Sequence, residues 1–151
     1  MSERFARFKE DWLPTLRTDA SVAFEYGQLG VAKGNHCDVA DGFVKMLGLK
    51  PIGFNWELLD ATGDFGSARS AIGELTQALC HDIANPSAPW LTQEAAQLCA
   101  SQFLQLFDAG SLTVVANRYD GLWNPISGAA IEWGFVSFDQ NNIALFLLTD
   151  R

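Results

Sequence analysis

The sequence predicts an α+β fold, with one antiparallel sheet of about four strands packed against helices in a single domain over residues 1–151. Helical and strand-like patterns occur in runs and do not alternate along the chain, which is typical of α+β rather than α/β proteins. The 151 residues include 48% hydrophobic residues. This length fits one domain with a sizeable core, and the hydrophobic content argues against disorder.

The first predicted element is a helix over residues 3–13, which ends or kinks at Pro14. It is indicated by an aromatic side chain at every third or fourth position: Phe5, Phe8 and Trp12. Residues 19–34 are ambiguous, because a strand-like alternation is interrupted by three glycines. A short helix is expected to begin after an N-cap at Asp38 and to end at Leu47.

Strict alternation of apolar residues over 52–58 predicts a half-buried strand, followed by a loop over 60–66. Two longer helices are expected next, because apolar residues recur at helical spacing over 67–84 and again from the Thr92 cap to residue 108. The segment 85–89, which contains two prolines, is interpreted as the connection between these helices.

Three strands are predicted in the last forty residues, over 112–117, 130–138 and 143–149, and they form a meander. The final strand is apolar on both faces, which indicates an interior position covered on both sides. The residues expected to be buried in the core are Phe54, Trp56, Ile72, Leu75, Leu79, Phe103, Leu106, Leu145 and Leu147.

Charge is distributed unevenly along the chain. The formal net charge is −8, and residues 51–150 contain eleven acidic side chains but only two basic ones, Arg69 and Arg118. A surface of one sign attracts partners of the opposite sign over long distances. We therefore expect a basic protein as the partner, and neither nucleic acid nor membrane. The aspartates expected on the acidic surface are Asp60, Asp64, Asp120 and Asp139.

The cysteines predict a reduced, cytoplasmic protein. Their number is odd and their spacing is wide, whereas a secreted domain of this size usually has an even set of disulfide partners: Cys37, Cys80 and Cys99. The N-terminus lacks the apolar stretch of a signal peptide, and no run is long enough to span a membrane.

No motif in the sequence predicts catalysis. Residues 35–38 and 80–82 each place Cys, His and Asp side by side, but neighbouring side chains diverge and the spacing of a zinc site is missing. Glu57 and Glu132 lie beside tryptophans, and the strand alternation predicts that both carboxylates point to solvent. We therefore expect no enzyme activity, no catalytic residue, no metal and no cofactor.

The segment 119–128 is the strongest candidate for recognition, because it is a long loop that is rich in aromatic residues. With the neighbouring 60–64 loop it supplies the predicted partner-binding residues: Asp60, Asp64, Tyr119, Asp120 and Trp123. Trp123 is either an anchor for the partner or a core residue, and the sequence leaves both alternatives open.

These features together favour a small acidic binding protein, specifically a bacterial immunity protein or similar inhibitor that neutralises a basic toxin domain by direct contact. One alternative is an enzyme or small-ligand-binding protein with a pocket between helices and sheet, which would contain several convergent polar groups. Another is a structural or adaptor component of an assembly, which would have an extended apolar patch. The oligomeric state is not predicted.

Overall fold

A computed structural model describes residues 2–16, 21–30, 34–83 and 85–150. Within these ranges the chain forms four α-helices, namely α1 (Ser2–Leu16), α2 (His36–Met46), α3 (Ala71–Cys80) and α4 (Gln93–Leu104). The strands are β1 (Ser21–Gln28), β2 (Glu57–Leu59), β3 (His81–Asp82), β4 (Asn85–Pro89), β5 (Thr113–Ala116), β6 (Arg118–Tyr119), β7 (Leu122–Trp123), β8 (Glu132–Phe138) and β9 (Asn142–Thr149). Over the described part of the chain, no helix has the length and apolar character needed to cross a membrane.

The main sheet has five strands in the order β1-β9-β8-β5-β2, and every neighbouring pair is antiparallel. The predicted α+β class is therefore confirmed, and the three C-terminal strands of this sheet lie side by side as predicted. The sheet exceeds the expected four strands because the ambiguous N-terminal segment supplies β1, which pairs with β9 from Ser21 opposite Thr149 to Gln28 opposite Asn142. The final strand is interior and buried on both faces.

Helices cover both faces of this sheet. Successive side chains of a strand point to opposite faces, so Phe146 and Leu148 of β9 enter one hydrophobic cluster, while Leu145 and Leu147 enter another. The first cluster, called here the large core, contains residues of α1, α3 and α4. The second, called the small core, contains residues of α2. Of the predicted core residues, all are buried except Ile72, which is half-buried, and Phe54.

The predicted strand over 52–58 is wrong, because its first half forms a turn. Residues Gly53–Asn55 form a single 3₁₀ turn, and only Glu57–Leu59 is a strand. The cause is the Asp41 carboxylate, which accepts hydrogen bonds from the backbone N–H of Ile52 and of Gly53 and from the indole of Trp56, at 2.8–2.9 Å. Trp56 is therefore buried as predicted, but Phe54 is 85% exposed.

Helix boundaries differ from the prediction where side chains cap a helix at a residue other than the expected one. The N-cap of α2 is Asn35 and not Asp38, and the Asp38 carboxylate instead accepts a hydrogen bond from the Asn35 backbone N–H in a capping box. Ser70 caps α3, which is therefore shorter than 67–84. Thr92 caps α4 as predicted, whereas residues 85–89, expected to be a simple connection, pair with β3 as β4.

Asp139 was expected at the surface but is buried. Its carboxylate accepts hydrogen bonds from the backbone N–H groups of Asp108, Asn141 and Asn142, each at 2.8 Å. Burial alone would raise the pKa of Asp139, but these three hydrogen bonds, together with the charge of Arg4, outweigh burial and lower it. The buried carboxylate therefore fixes the β8–β9 turn and the segment that follows α4.

Leu75→Ala should lower the free energy of unfolding by roughly 2–5 kcal/mol, because it opens a cavity in the large core. Leu75 on α3 is 1% exposed. The matched control is Leu98→Ala on α4, where the side chain is 52% exposed and the change should stay within about 0.5 kcal/mol. Denaturant unfolding measures both variants, and a loss below about 1 kcal/mol for Leu75→Ala would contradict this orientation of α3.

Candidate functional site

The segment 119–128, predicted to be a loop, begins within a short hairpin. Strands β6 and β7 pair with Arg118 opposite Trp123 and Tyr119 opposite Leu122. The two residues between them have left-handed backbone conformations, with φ of 50° at Asp120 and 80° at Gly121. Two-residue hairpin turns of this kind require positive φ at both positions, which Gly adopts freely and Asp tolerates. The turn therefore presents Asp120 at the exposed tip.

Trp123 is held at the base of the hairpin by a stacked arginine. The Arg118 guanidinium carbon lies 4.8 Å from the centre of the Trp123 ring and 4.7 Å from that of Trp133. Its Nε donates a hydrogen bond to the backbone carbonyl oxygen of Glu132 at 2.9 Å. Burial lowers the pKa of Arg118, while the charge of Glu132 opposes this effect. Trp123 is thus half-buried against a cation and contributes to neither core cluster.

Glu132 is the main functional-site residue that the sequence analysis misplaced. It was expected to face solvent, but it is 0% exposed. One carboxylate oxygen accepts hydrogen bonds from the Asn117 amide (2.7 Å) and the Ile126 N–H (2.8 Å). The other accepts from the N–H (3.0 Å) and the hydroxyl (2.6 Å) of Ser127. Alternation identified the correct strand, but it could not reveal that the segment after the hairpin folds back over this face.

Arg69 brings the two predicted recognition loops together. Its guanidinium carbon lies 4.4 Å from the centre of the Tyr119 ring, and its Nη2 lies 3.5 Å from the carboxylate of Glu57. Its backbone carbonyl oxygen accepts a hydrogen bond from the Asp60 N–H at 2.8 Å, which closes the 60–69 loop. We call the surface around Arg69 the acidic face and define it by Asp60, Asp64, Glu74, Tyr119 and Asp120.

Three carboxylates of the acidic face are exposed as predicted: Asp60, Asp64 and Asp120. Among the described residues, none of the three forms an ion pair. Tyr119, which precedes Asp120 in the chain, is 49% exposed. The face therefore combines unpaired negative charge with an accessible aromatic ring.

A cleft of about 440 Å³ adjoins the acidic face on the side of α3 opposite Leu75. Its lining includes Phe65, Arg69, Glu74, Gln77, His81 and Gln93. Glu74 was not a predicted site residue, because helical periodicity assigns it only to the polar side of α3. Its carboxylate has no hydrogen-bond or ion-pair partner within the described residues. Burial raises the pKa of Glu74; Arg69 lowers it and Asp120 raises it, with a net upward shift.

The cysteines are free thiols that do not form a reactive centre. Cys37 and Cys99 are buried, and Cys80 is half-buried at the edge of the cleft. Burial raises the pKa of all three thiols, so the nucleophilic thiolate is scarce at neutral pH. Over the described ranges, no three His, Cys, Asp or Glu side chains converge as metal ligands would.

Comparison with known proteins finds no matching family model, no matching curated protein and no matching solved structure.

Glu132→Gln should lower the free energy of unfolding by at least about 2 kcal/mol. The substituted amide presents its N–H₂ group to donors that the carboxylate now satisfies, and each buried donor left unpaired costs about 1–3 kcal/mol. Glu10→Gln, at an exposed position on α1, removes the same charge and should change stability by less than about 0.5 kcal/mol. Equal stability of the two variants in urea would show that the Glu132 network contributes nothing.

Glu74→Gln should stabilise the protein at neutral pH and leave it unchanged in acid. Because the pKa of Glu74 is raised on folding above its ordinary value of 4.5, the folded state binds more protons than the unfolded state. Wild-type stability therefore falls as the pH rises from that value through the folded pKa. The Glu74→Gln variant does not lose stability in this way, because its amide does not titrate. Urea unfolding at several pH values measures the difference, and a variant less stable than the wild type at pH 7 contradicts the prediction.

Proposed function

We propose that the chain is an inhibitor of the immunity-protein type, which neutralises a basic toxin or effector domain by direct binding. The observation that carries this proposal is the acidic face, which combines three exposed aspartates, with no ion pair among the described residues, and the exposed ring of Tyr119. The two cations of residues 51–150 do not neutralise them, because Arg69 lies on Tyr119 and pairs with Glu57, and Arg118 lies between two tryptophan rings.

This arrangement suits rapid capture of a positively charged protein. Exposed carboxylates of one sign accelerate the encounter with a basic surface, and aromatic side chains at the centre of an interface slow dissociation. The hairpin is also fixed in advance, since Glu132 fastens the segment behind it. A preorganised surface loses less conformational entropy on binding.

A small-ligand-binding protein is the second candidate, and the cleft beside α3 favours it. Its volume of about 440 Å³ falls within the range of about 300–1,000 Å³ that is usual for ligand sites. Polar side chains converge on it from α3, α4 and the 60–69 loop. The position differs from the expected pocket between helices and sheet, because the cleft lies on the other side of α3.

The neighbouring reading frame in the genome provides the test. We expect it to encode a large protein with a basic C-terminal domain, and we expect this chain to bind that domain in titration calorimetry and to restore the growth of cells that express it. A neighbouring product that neither binds the purified chain nor is neutralised by it would contradict the proposal.

Asp120→Asn should slow association with the basic domain and weaken the dependence of the association rate on salt. Asn also adopts a left-handed backbone, so the hairpin turn should persist. The control is Asp11→Asn on α1, which removes the same charge from an exposed site elsewhere. Stopped-flow kinetics at two ionic strengths distinguishes them, and equal association rates for the two variants would argue against steering by the acidic face.

Trp123→Ala should accelerate dissociation of the basic domain and cost about 2 kcal/mol or more of binding free energy. Phe54→Ala, which removes an exposed aromatic ring outside the acidic face, is the control and should bind normally. A loss of unfolding free energy of about 3–5 kcal/mol in Trp123→Ala, without a change in binding per folded molecule, would assign Trp123 to the support of the fold instead.

A further inference from the structure

We propose that the cleft beside α3 receives one basic side chain of the partner protein, an arginine or a lysine, whose cationic group pairs with Glu74. The inference rests on the proposed function for the source of that side chain. It adds a defined site to the acidic face, whose other carboxylates are exposed and can attract a partner without fixing its register.

The charges that line the cleft favour a cationic ligand. Arg69 is already engaged, because it lies 3.5 Å from the Glu57 carboxylate and stacks on the Tyr119 ring at 4.4 Å. Glu74 is only half exposed and lacks any such partner in the described part of the chain. The uncompensated charge in the cleft is therefore negative. A cationic ligand would gain the most favourable electrostatic binding energy there.

The side chains that line the cleft with Glu74 also suit a basic side chain. Gln77 and Gln93 contribute side-chain amides whose carbonyl oxygens can accept hydrogen bonds from a guanidinium or ammonium group. Phe65, which also lines the cleft and is 39% exposed, offers a ring face or edge to the aliphatic stem or the cation. Together these groups offer hydrogen-bond acceptors and an aromatic ring to a long basic side chain.

The environment of the Glu74 carboxylate in the free protein disfavours its ionised form. Burial and the nearby charge of Asp120 raise its pKa in spite of Arg69, so the free protein holds an ionised carboxylate at a net cost at neutral pH. A bound cation would remove that cost. Groups that reduce stability in the free protein but serve binding are a recurrent feature of functional sites.

Nuclear magnetic resonance titration with Nα-acetyl-arginine amide tests the site directly. We expect the side-chain amide signals of Gln77 and Gln93 to shift at neutral pH, and we expect the uncharged isostere Nα-acetyl-citrulline amide to leave them in place. Glu74→Gln should weaken the affinity for the arginine probe by about tenfold, as loss of a hydrogen bond to a charged group does. Glu10→Gln, the control on α1, should change it by less than about twofold.

Equal shifts with arginine and citrulline probes, or an unchanged affinity in Glu74→Gln, would overturn the inference. Much tighter binding of free agmatine than of the capped arginine would overturn it too, because the cleft would then select a free small cation. Since Glu74→Gln is expected to stabilise the fold, loss of folding does not obscure the result.

The same variant separates the inference from the proposed function. If the basic domain binds wild type and Glu74→Gln equally, the inference fails and the inhibitor function stands. If the arginine probe binds at Glu74 but no basic domain binds the acidic face, the cation site is supported and the inhibitor function fails.

Discussion

The buried Glu132 is the constraint on which the candidate recognition surface depends. Its carboxylate accepts four hydrogen bonds from Asn117, Ile126 and Ser127, which fasten the segment after the hairpin over the small core. Its backbone carbonyl oxygen accepts a hydrogen bond from the Arg118 Nε, and this bond places the guanidinium between two tryptophan rings. One residue of β8 therefore fixes both sides of the hairpin that carries Tyr119 and Asp120.

The use of the two arginines explains how the surface keeps its negative charge. Arg118 stacks on two tryptophan rings and donates a hydrogen bond to a carbonyl oxygen. Arg69 stacks on Tyr119 and forms an ion pair with Glu57. Neither cation forms an ion pair with Asp60, Asp64 or Asp120. The two arginines thus position aromatic side chains, and the negative charge of the exposed carboxylates is not neutralised by them.

Periodicity in the sequence was sufficient for the α+β class, for the C-terminal strands and for the Thr92 cap, because these depend on near neighbours in the chain. It failed where a side chain bonds to a distant segment. Asp41 converts the predicted strand at 52–58 into a turn, and Glu132 and Asp139 are buried because backbone amides of other segments reach them. The cleft was not predicted either, because its lining residues come from three segments that are separate in the chain.

Native-state hydrogen exchange of the Ile126 and Ser127 amides tests most directly whether Glu132 fixes this surface. Both N–H groups donate to its carboxylate, so they should exchange almost as slowly as the amides of β9, through opening of much of the fold. Exchange as fast as that of Gly121 at the exposed hairpin tip would contradict the account, because the segment behind the hairpin would then be loose.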